Sequence, residues 1–471
     1  MSALRSDASD DKSEASGAAP ASGRRGIRGA FYGWWILAAS ALINGIGGSV
    51  HYQGFTVLFL PVSTTLGLSH AQTALAFSLS RAENGILGPI TGWLIDKFGP
   101  RPLMLAGTIL VGIGYILLSR TDSYRDFVLV YIFVISLGAS TSFMQGTTSA
   151  LNAWFVRKRG IVMSINSAGF RLGGAFMVPV LSVLVLRYGW QTAALWIGII
   201  MLVLITPLAL FMRRSPEEYG ARPDGDSTDL RVATASGRKA IYTEEDWTVK
   251  EAVKTRAFYV LAAGTVLRIS VHGAIFVHII PILVWKGQSP QGAANMVGLL
   301  ALIAVPLIIF TGWLSDKVGR QKILAVAYLF SGSSLIVMNF VEGTIPIFLA
   351  LLLFLGSEVG SALNWALVGD LFGRKRFATI RGMLAPMYNA ALFVTPVGAG
   401  WIFDETGSYQ IVLLTGGVLF FLAAIVFFHL RAPVREILDK AADDRAADEA
   451  TKNAVSTGPV STRPATPGEE K

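Results

Sequence analysis

The motif TGWLIDKFGP at residues 91–100 returns 220 positions later as TGWLSDKVGR at residues 311–320. Both copies contain TGWL, an Asp-Lys pair and a glycine two residues after the lysine. Two further matches keep nearly the same offset: FVRKR at 155–159 returns as FGRKR at 372–376, and SVH at 49–51 returns at 270–272. Three collinear matches indicate that the chain consists of two related halves.

Long apolar runs surround both copies of the motif. The chain is 52% hydrophobic and only 15% charged, whereas soluble domains carry about 25% charge. About 20 apolar residues cross a bilayer, and twelve such runs occur, at about 31–60, 71–95, 102–119, 126–153, 160–186, 190–212, 257–285, 292–314, 321–341, 345–371, 378–403 and 409–430. The sequence therefore predicts an all-α membrane protein with twelve transmembrane helices in two pseudo-symmetric six-helix bundles.

The remaining segments are polar and flank or join the bundles. The predicted organisation is a disordered cytoplasmic N-terminal tail (1–30), an N-terminal six-helix bundle (31–212), a cytoplasmic linker (213–256), a C-terminal six-helix bundle (257–430) and a mostly disordered cytoplasmic tail (431–471). In the linker, Thr248 and Glu251 have the spacing of a capping box, in which the two side chains satisfy backbone N–H groups at a helix start. This spacing predicts a short interfacial helix before the seventh span.

The basic residues between the spans are unevenly divided. The short loops after spans 2, 4, 8 and 10 contain Lys97, Arg101, Arg157, Lys158, Arg159, Lys317, Arg320, Lys322, Arg374, Lys375 and Arg376. The opposite loops contain Arg120, Arg125, Arg187 and Lys286. Because Lys and Arg accumulate in cytoplasmic loops, both termini are predicted to be cytoplasmic, in a bacterial-type inner membrane. The net charge of +9 is thus explained by membrane topology, and no nucleic-acid partner is expected.

The repeated loop resembles a known family signature. The resemblance rests on Gly92, Asp96, Lys97, Gly99 and Arg101. This pattern is similar to the loop between helices 2 and 3 of the major facilitator superfamily, and its second copy resembles the degenerate loop between helices 8 and 9. The stretch 154–173 is similar to the helix 4–5 signature of the monocarboxylate and oxalate/formate carriers. The resemblance covers about 31–430 and implies two bundles that rock about a central cavity.

In this family resemblance the repeated loops act as a cytoplasmic gate. An aspartate at the end of one helix accepts hydrogen bonds from the N-terminus of another, so Asp96 is expected to bind the start of span 11, and Asp316 the start of span 5. The predicted gate comprises Gly92, Asp96, Lys97, Gly99, Arg101, Asp316, Arg320 and Arg381. The alternative interpretation is that the loops contain only topogenic charges and a tight glycine turn.

Several ionisable residues are predicted to lie inside the membrane, where such groups are functional candidates by default. By helical rise, Arg171, Arg268 and Glu358 reach similar depths near the midplane. The predicted substrate-binding residues are Arg171, Arg268, His272, His51, Tyr388 and Glu358. Two guanidinium groups and one carboxylate leave a net positive site, and a guanidinium holds a carboxylate with two parallel hydrogen bonds. The alternative is that Glu358 neutralises one arginine and no ligand is involved.

A second pair of charged residues, Arg81 and Glu83, lies on span 2. Residues two apart in a helix point to different faces, so each of them needs a partner on another helix. Packing or an outer gate is the expected role.

The leading functional hypothesis is a secondary carrier for a small organic anion, chiefly a monocarboxylate, that works by alternating access as a monomer. The coupling is expected through a proton, with Glu358 or His272 titrating, or through exchange for a counter-anion. A proton-driven exporter of drugs or cations and a non-transporting membrane sensor are the alternatives. No enzymatic activity, cofactor or metal is expected, because the chain has no phosphate-binding loop, no HExxH helix and no cysteine.

Overall fold

The computed structural model describes residues 31–68, 70–225 and 246–433. The two disordered tails predicted from the sequence lie outside the described residues, except for 431–433, and so does the middle of the linker. The predicted linker helix lies within the described residues. Thr248 caps the helix Val249–Ala252 in a capping box with Glu251.

The described residues form helices without strands. We number the membrane helices α1 (Gly33–Tyr52, continued by Phe55–Thr65), α2 (His70–Phe98), α3 (Pro100–Leu118), α4 (Tyr124–Trp154), α5 (159–188), α6 (190–209), α7 (Arg256–Trp285), α8 (Pro290–Val318), α9 (Arg320–Phe340), α10 (Thr344–Phe372), α11 (Phe377–Thr406) and α12 (Gln410–Phe428).

These twelve helices follow from length, hydropathy and one backbone break. Nine stretches of the described helices are long and apolar enough to cross a membrane. One of them, Arg159–Ala209, is divided at Gly189, whose φ of 79° is not helical. The helices α2 and α11 have 29 and 30 residues and are of spanning length although they are more polar. The predicted fold of twelve transmembrane helices in two halves is confirmed.

The repeated motif ends one helix and starts the next in both halves. Its last glycine has a positive φ in each copy, 84° at Gly99 and 108° at Gly319. A side chain is strained in this conformation and glycine is not, so the chain reverses here between α2 and α3, and between α8 and α9. The motif loops and the two Arg-Lys-Arg loops lie at the same end of the molecule, which we call the basic end.

The two halves touch through glycine contacts at the basic end. A Cβ added at Gly92 would collide with the backbone of Ala378, and one at Gly382 would collide with the backbone of Gly88. These positions bring α2 and α11 into backbone contact. The equivalent pair α5 and α8 is also in close contact, at Gly160 and Gly312. Small residues permit such close helix packing in membranes.

Three helices of the N-terminal half contain π-helical turns, and that of α6 is Met201–Ile205. The other two segments are Ile43–Gly48 in α1 and Tyr131–Ser136 in α4. A π-helical turn inserts one residue into the i→i−4 ladder and is frequent at functional sites. Both segments face the interior of the bundle, since most of their side chains are buried.

The glycine contacts between α2 and α11 generate a stability prediction. Replacing Gly382 with Val forces the two backbones apart, and overpacking of this kind costs about 1–3 kcal/mol. We expect a lower thermal unfolding midpoint for the purified variant. Gly298 in α8 is the matched control, because a Cβ added there would have no neighbouring atom within 4 Å. An equal midpoint shift in Gly298→Val and Gly382→Val would contradict the assignment.

Candidate functional site

The basic end is closed by two carboxylates, each bound to the first turn of a helix in the opposite half. Asp96 accepts hydrogen bonds from the backbone N–H groups of Ala378 and Thr379, at 3.1 and 2.8 Å, and from the Thr379 hydroxyl. Asp316 accepts from the N–H groups of Gly160 and Ile161, at 2.8 and 3.0 Å. The structure thus contains both predicted sets of hydrogen bonds, at the starts of α11 and α5.

A buried ion cluster lies beside the second of these contacts. Asp370 at the end of α10 binds Arg159 of the opposite half at 2.6 Å and also binds Arg320. Arg320 in turn binds Asp316 at 2.6 Å. Arg159 and Arg320 are each only 2% exposed. From the sequence, Arg320 is predicted as a gate residue and Arg159 counts as a loop charge. Asp370 is not identified there, because this carboxylate lies outside the repeated motif.

Of the other predicted gate residues, two do not join the halves. Lys97 lies 4.7 Å from the ring centroid of Trp93 on its own helix. Arg101 is exposed, and it forms no ion pair or hydrogen bond within the described segments. Their expected part in the gate stays a prediction; in this conformation the first copy of the motif contacts the opposite half through Gly92 and Asp96.

The described ends of the linker are attached to the two Arg-Lys-Arg loops in equivalent ways. Asp224 accepts hydrogen bonds from the N–H groups of Arg157 and Lys158, at 2.9 and 3.2 Å. Asp246 accepts from the N–H groups of Arg374 and Lys375, at 2.8 and 3.0 Å. Burial raises the pKa of Asp246, but the hydrogen bonds outweigh it and hold this pKa below its ordinary value. The attachment is thus present at neutral pH and is lost only in acid.

Above the closed end, a cavity of about 280 Å³ separates the N-terminal half from α11. It is lined by His51, Tyr52, Ser80, Asn84, Ser140, Met144, Gln145, Phe170, Arg381, Tyr388, Asn389 and Leu392. Five helices thus contribute to its wall. Arg381 is the charged side chain in this lining, and no carboxylate is part of it.

Arg381 both joins the two halves and lines the cavity. Its position near the start of α11 led to its prediction as a gate residue. Its guanidinium donates a hydrogen bond to the carbonyl of Met144 in the opposite half, at 3.4 Å, and lies 4.4 Å from the ring centroid of Trp365. The side chain therefore contributes to the cavity wall, and its expected part in the gate stays a prediction.

Arg268 on α7 is buried and is not among the residues that line the cavity. Its side chain is 4% exposed, and its Nε has no hydrogen-bond partner. No carboxylate pairs with it in the described part of the chain; its electrostatic neighbours are the phenols of Tyr328 and Tyr388. Tyr388 is also within electrostatic range of Arg381. One phenol that lines the cavity is therefore within electrostatic range of two buried guanidinium groups.

The predicted midplane residues fall into two groups. Arg171 forms an ion pair with Glu358 between α5 and α10, and His272 lies within electrostatic range of both Arg171 and Arg268. These residues make one cluster near the midplane, together with Tyr388. The pairing corresponds to the alternative interpretation for Arg171, because its charge is balanced by Glu358 in this conformation.

His51 lies apart from that cluster. Its ring packs on Tyr52, Tyr131 and Phe143, and it lines the cavity from the N-terminal half. Its repeat counterpart His272 packs on Phe276. The two histidines therefore occupy equivalent positions in sequence but face different surroundings.

Comparisons with known proteins agree with this geometry. The profile of the Major Facilitator Superfamily matches residues 37–284 and 273–466. The chain belongs to the major facilitator superfamily. Its fold is similar to that of the transporter FucP in the outward conformation, with a TM-score of 0.65 at 15% identity over 85% of this chain and 99% of that one. The protein is a multi-pass membrane transporter and not an enzyme.

Two carriers of this superfamily are similar to the chain in sequence. The oxalate:formate antiporter of Oxalobacter formigenes is 26% identical over 87% of this chain and 95% of its own length. Monocarboxylate transporter 2 of Mesocricetus auratus is 25% identical over 84% of each chain. The resemblance to this group of carriers, which the helix 4–5 region suggested, is confirmed.

The buried ion cluster generates a prediction about the gate. In Asp370→Asn, Arg159 and Arg320 lose a shared counter-charge, and breaking a buried pair costs about 3–5 kcal/mol. We expect the basic end to open more often. The chain has no cysteine, so a single cysteine at Ser164, which is 1% exposed and packs on Gly312, reports the opening.

The measurement is the rate of maleimide labelling of this cysteine in the purified protein. Labelling should accelerate by more than about tenfold in Asp370→Asn, since about 1.4 kcal/mol already changes a population tenfold. Asp126→Asn is the control, because this exposed carboxylate binds only Ser123 beside it. Equal labelling rates in the two variants would show that the ion cluster at Asp370 does not hold the basic end closed.

Proposed function

We propose that this transporter is a secondary carrier for a small organic anion, with monocarboxylates as the first class to test. The observation that supports it is the pair of buried guanidinium groups, Arg268 and Arg381, which have no carboxylate partner within the described residues. Oxalate and formate are named for one similar carrier and monocarboxylates for the other. The substrate-binding residues proposed are Arg381, Tyr388, Arg268, Arg171, His272 and His51.

The proposal depends on the cost of burying charge. An isolated cation in a low-dielectric interior is strongly unfavourable unless it is paired or hydrogen-bonded. Arg381 is 5% exposed and is partly compensated by one carbonyl and the Trp365 ring. Arg268 has less compensation still. An anion that enters the cavity supplies the missing negative charge, and charge-assisted hydrogen bonds from a guanidinium are among the strongest available.

The size and charge of the cavity argue against the rival exporter. This cavity of about 280 Å³ lies at the small end of the range of about 300–1,000 Å³ that is usual for ligand pockets. An exporter of cations needs a carboxylate to bind them, and the lining has none. A small anion fits both properties better than a lipophilic cation does.

Transport would proceed by rocking of the two halves about this site. The conformation described here is closed at the basic end through Asp96, Asp316 and Asp370. We place that end in the cytoplasm of a bacterial-type membrane, because the basic loops lie there. Opening towards the cytoplasm then requires these contacts and the ion pair between Arg171 and Glu358 to separate, as each of them joins the two halves.

The coupling ion follows less directly from the geometry. Glu358 and His272 were the candidates from the sequence. Because Glu358 is paired with Arg171, its protonation requires that ion pair to dissociate first. Proton symport and exchange against a counter-anion are both consistent with a cationic cavity, and an assay with and without a pH gradient distinguishes them.

The unpaired guanidinium groups generate a transport prediction. In proteoliposomes that contain the purified protein, we expect uptake of labelled lactate, formate or oxalate. Arg381→Gln and Arg268→Gln should each lower kcat/KM for uptake by about 10–100-fold, since a hydrogen bond to a charged group contributes about 1.5–3 kcal/mol. Arg171→Gln should impair turnover, because it leaves Glu358 buried and unpaired.

Lys286→Gln is the matched control, since this lysine caps the far end of α7 and binds the carbonyl of Asn339. Its uptake should equal that of the wild type. Wild-type uptake in both Arg381→Gln and Arg268→Gln would refute the site. Extrusion of cationic dyes would support the exporter, and binding of an anion without flux would support the sensor.

A further inference from the structure

A second membrane-embedded carboxyl group, Glu83 on α2, lies outside the cluster described above. Its Oε2 accepts hydrogen bonds from the hydroxyl of Ser136 at 2.7 Å and from the side-chain amide of Asn84 at 3.1 Å. Its Oε1 is shielded from solvent and has no hydrogen-bond partner. The residue forms no ion pair with any described cation. A carboxyl group in this position is a functional candidate by default.

The contrast with Glu358 is informative. The carboxylate of Glu358 is balanced by Arg171, whereas Glu83 has only neutral hydrogen-bond partners. An unpaired carboxylate in an apolar interior is unfavourable, and taking up a proton removes this cost. Glu83 has no fixed counter-charge. When it gains or loses a proton, the net charge of the transporter therefore changes by one unit.

A chain of hydroxyl groups connects Glu83 to the cavity. Ser136 lies 2.7 Å from the hydroxyl of Ser80, and either oxygen of that pair can be the donor. Ser80 and Asn84 both line the cavity. With Glu83 ionised, the hydroxyls donate towards the carboxylate; with Glu83 protonated, its O–H donates to Ser136 and the direction reverses. The chain therefore accommodates both protonation states without a change in its heavy-atom positions.

The backbone of α4 is irregular where this chain is built. Ser136 is the last residue of the π-helical segment Tyr131–Ser136. A π-helical turn shifts the side chains that follow it around the helix. The π-helical turn therefore brings the Ser136 hydroxyl to the contact with α2. This backbone feature is a separate observation from the side-chain hydrogen bonds.

The surroundings of Glu83 contain few other charged or titratable groups. Tyr131 comes from α4, His51 from α1, and Arg381 and Tyr388 from α11, and all four lie on elements packed against α2 or against its neighbours. None of them forms an ion pair or hydrogen bond with Glu83 in the described structure. The side chain of Arg81 lies outside the described residues.

We propose that Glu83 is the proton-binding group that couples anion transport to the co-transport of one proton. This inference rests on the proposed function. A proton from water in the cavity reaches the carboxylate through Ser80 and Ser136, and a monoanion binds at Arg381. The proton and the anion cross together, so no net charge moves, and both are released to water on the other side.

The test compares two modes of transport in proteoliposomes, with the labelled anion among lactate, formate and oxalate that the wild type carries. An imposed gradient of about one pH unit should drive about tenfold accumulation by a one-proton symporter of a monoanion. In Glu83→Gln, which imitates the protonated form, this accumulation should vanish while exchange of labelled for unlabelled anion continues. Retained accumulation overturns the proposal, and so does loss of exchange in a folded variant.

Ser136→Ala provides a second test that does not depend on Glu83→Gln being folded. The Ser136 hydroxyl stabilises the ionised carboxylate, so its removal favours protonation, and the pH profile of net uptake should move to higher pH. Ser142→Ala on the same helix is the control, because its hydroxyl binds only backbone carbonyls. An unchanged profile in Ser136→Ala overturns the proposal.

The wild-type protein separates this inference from the proposed function. Anion flux that does not respond to a pH gradient would identify an exchanger, which overturns the role of Glu83 and leaves the anion carrier intact. Absence of flux for every tested anion would refute both the role of Glu83 and the proposed transport of small organic anions.

Discussion

The cost of placing charge in a low-dielectric interior underlies every functional feature of this molecule. The chain meets this cost in different ways at different depths. At the basic end, Asp96 and Asp316 are compensated by backbone N–H groups of the opposite half. Near the midplane, Arg171 is compensated by Glu358. Arg268 has no such partner within the described residues, and this imbalance is the physical basis for assigning an anion to the cavity.

The compensating contacts also connect the two halves, so that stability and transport depend on the same residues. The backbone contact at Gly92 and Gly382 permits Asp96 to reach the first turn of α11. The contact is short only while the basic end is closed. An opening movement therefore exposes polar backbone and carboxylate together, and water entering that end is needed to solvate them. Such contacts make closure a discrete state rather than a gradual one.

The two halves repeat each other in backbone but differ in buried charge. Both motif glycines have positive φ, and both motif aspartates bind a helix start. The ion cluster around Asp370, however, has no repeat, because the equivalent position in the N-terminal half is Ala153. The unpaired carboxyl group of the N-terminal half, Glu83, is likewise absent from the other half, where Ile303 stands 220 positions later. The ion cluster and the proposed proton-binding group are thus departures from symmetry.

The sequence by itself determined the fold and the duplication, and its resemblance to the superfamily implied the contacts at Asp96 and Asp316. Apolar run length and a repeated turn motif are local properties, and they suffice because a bilayer permits few architectures. Only the tertiary structure decided which buried charges pair. Arg171 and Glu358 lie 187 positions apart in the chain, and the side chain of Arg381 reaches from α11 to the carbonyl of Met144 in the opposite half. Helical spacing gives depth in the membrane but not the neighbour across the bundle, since that depends on how the helices pack.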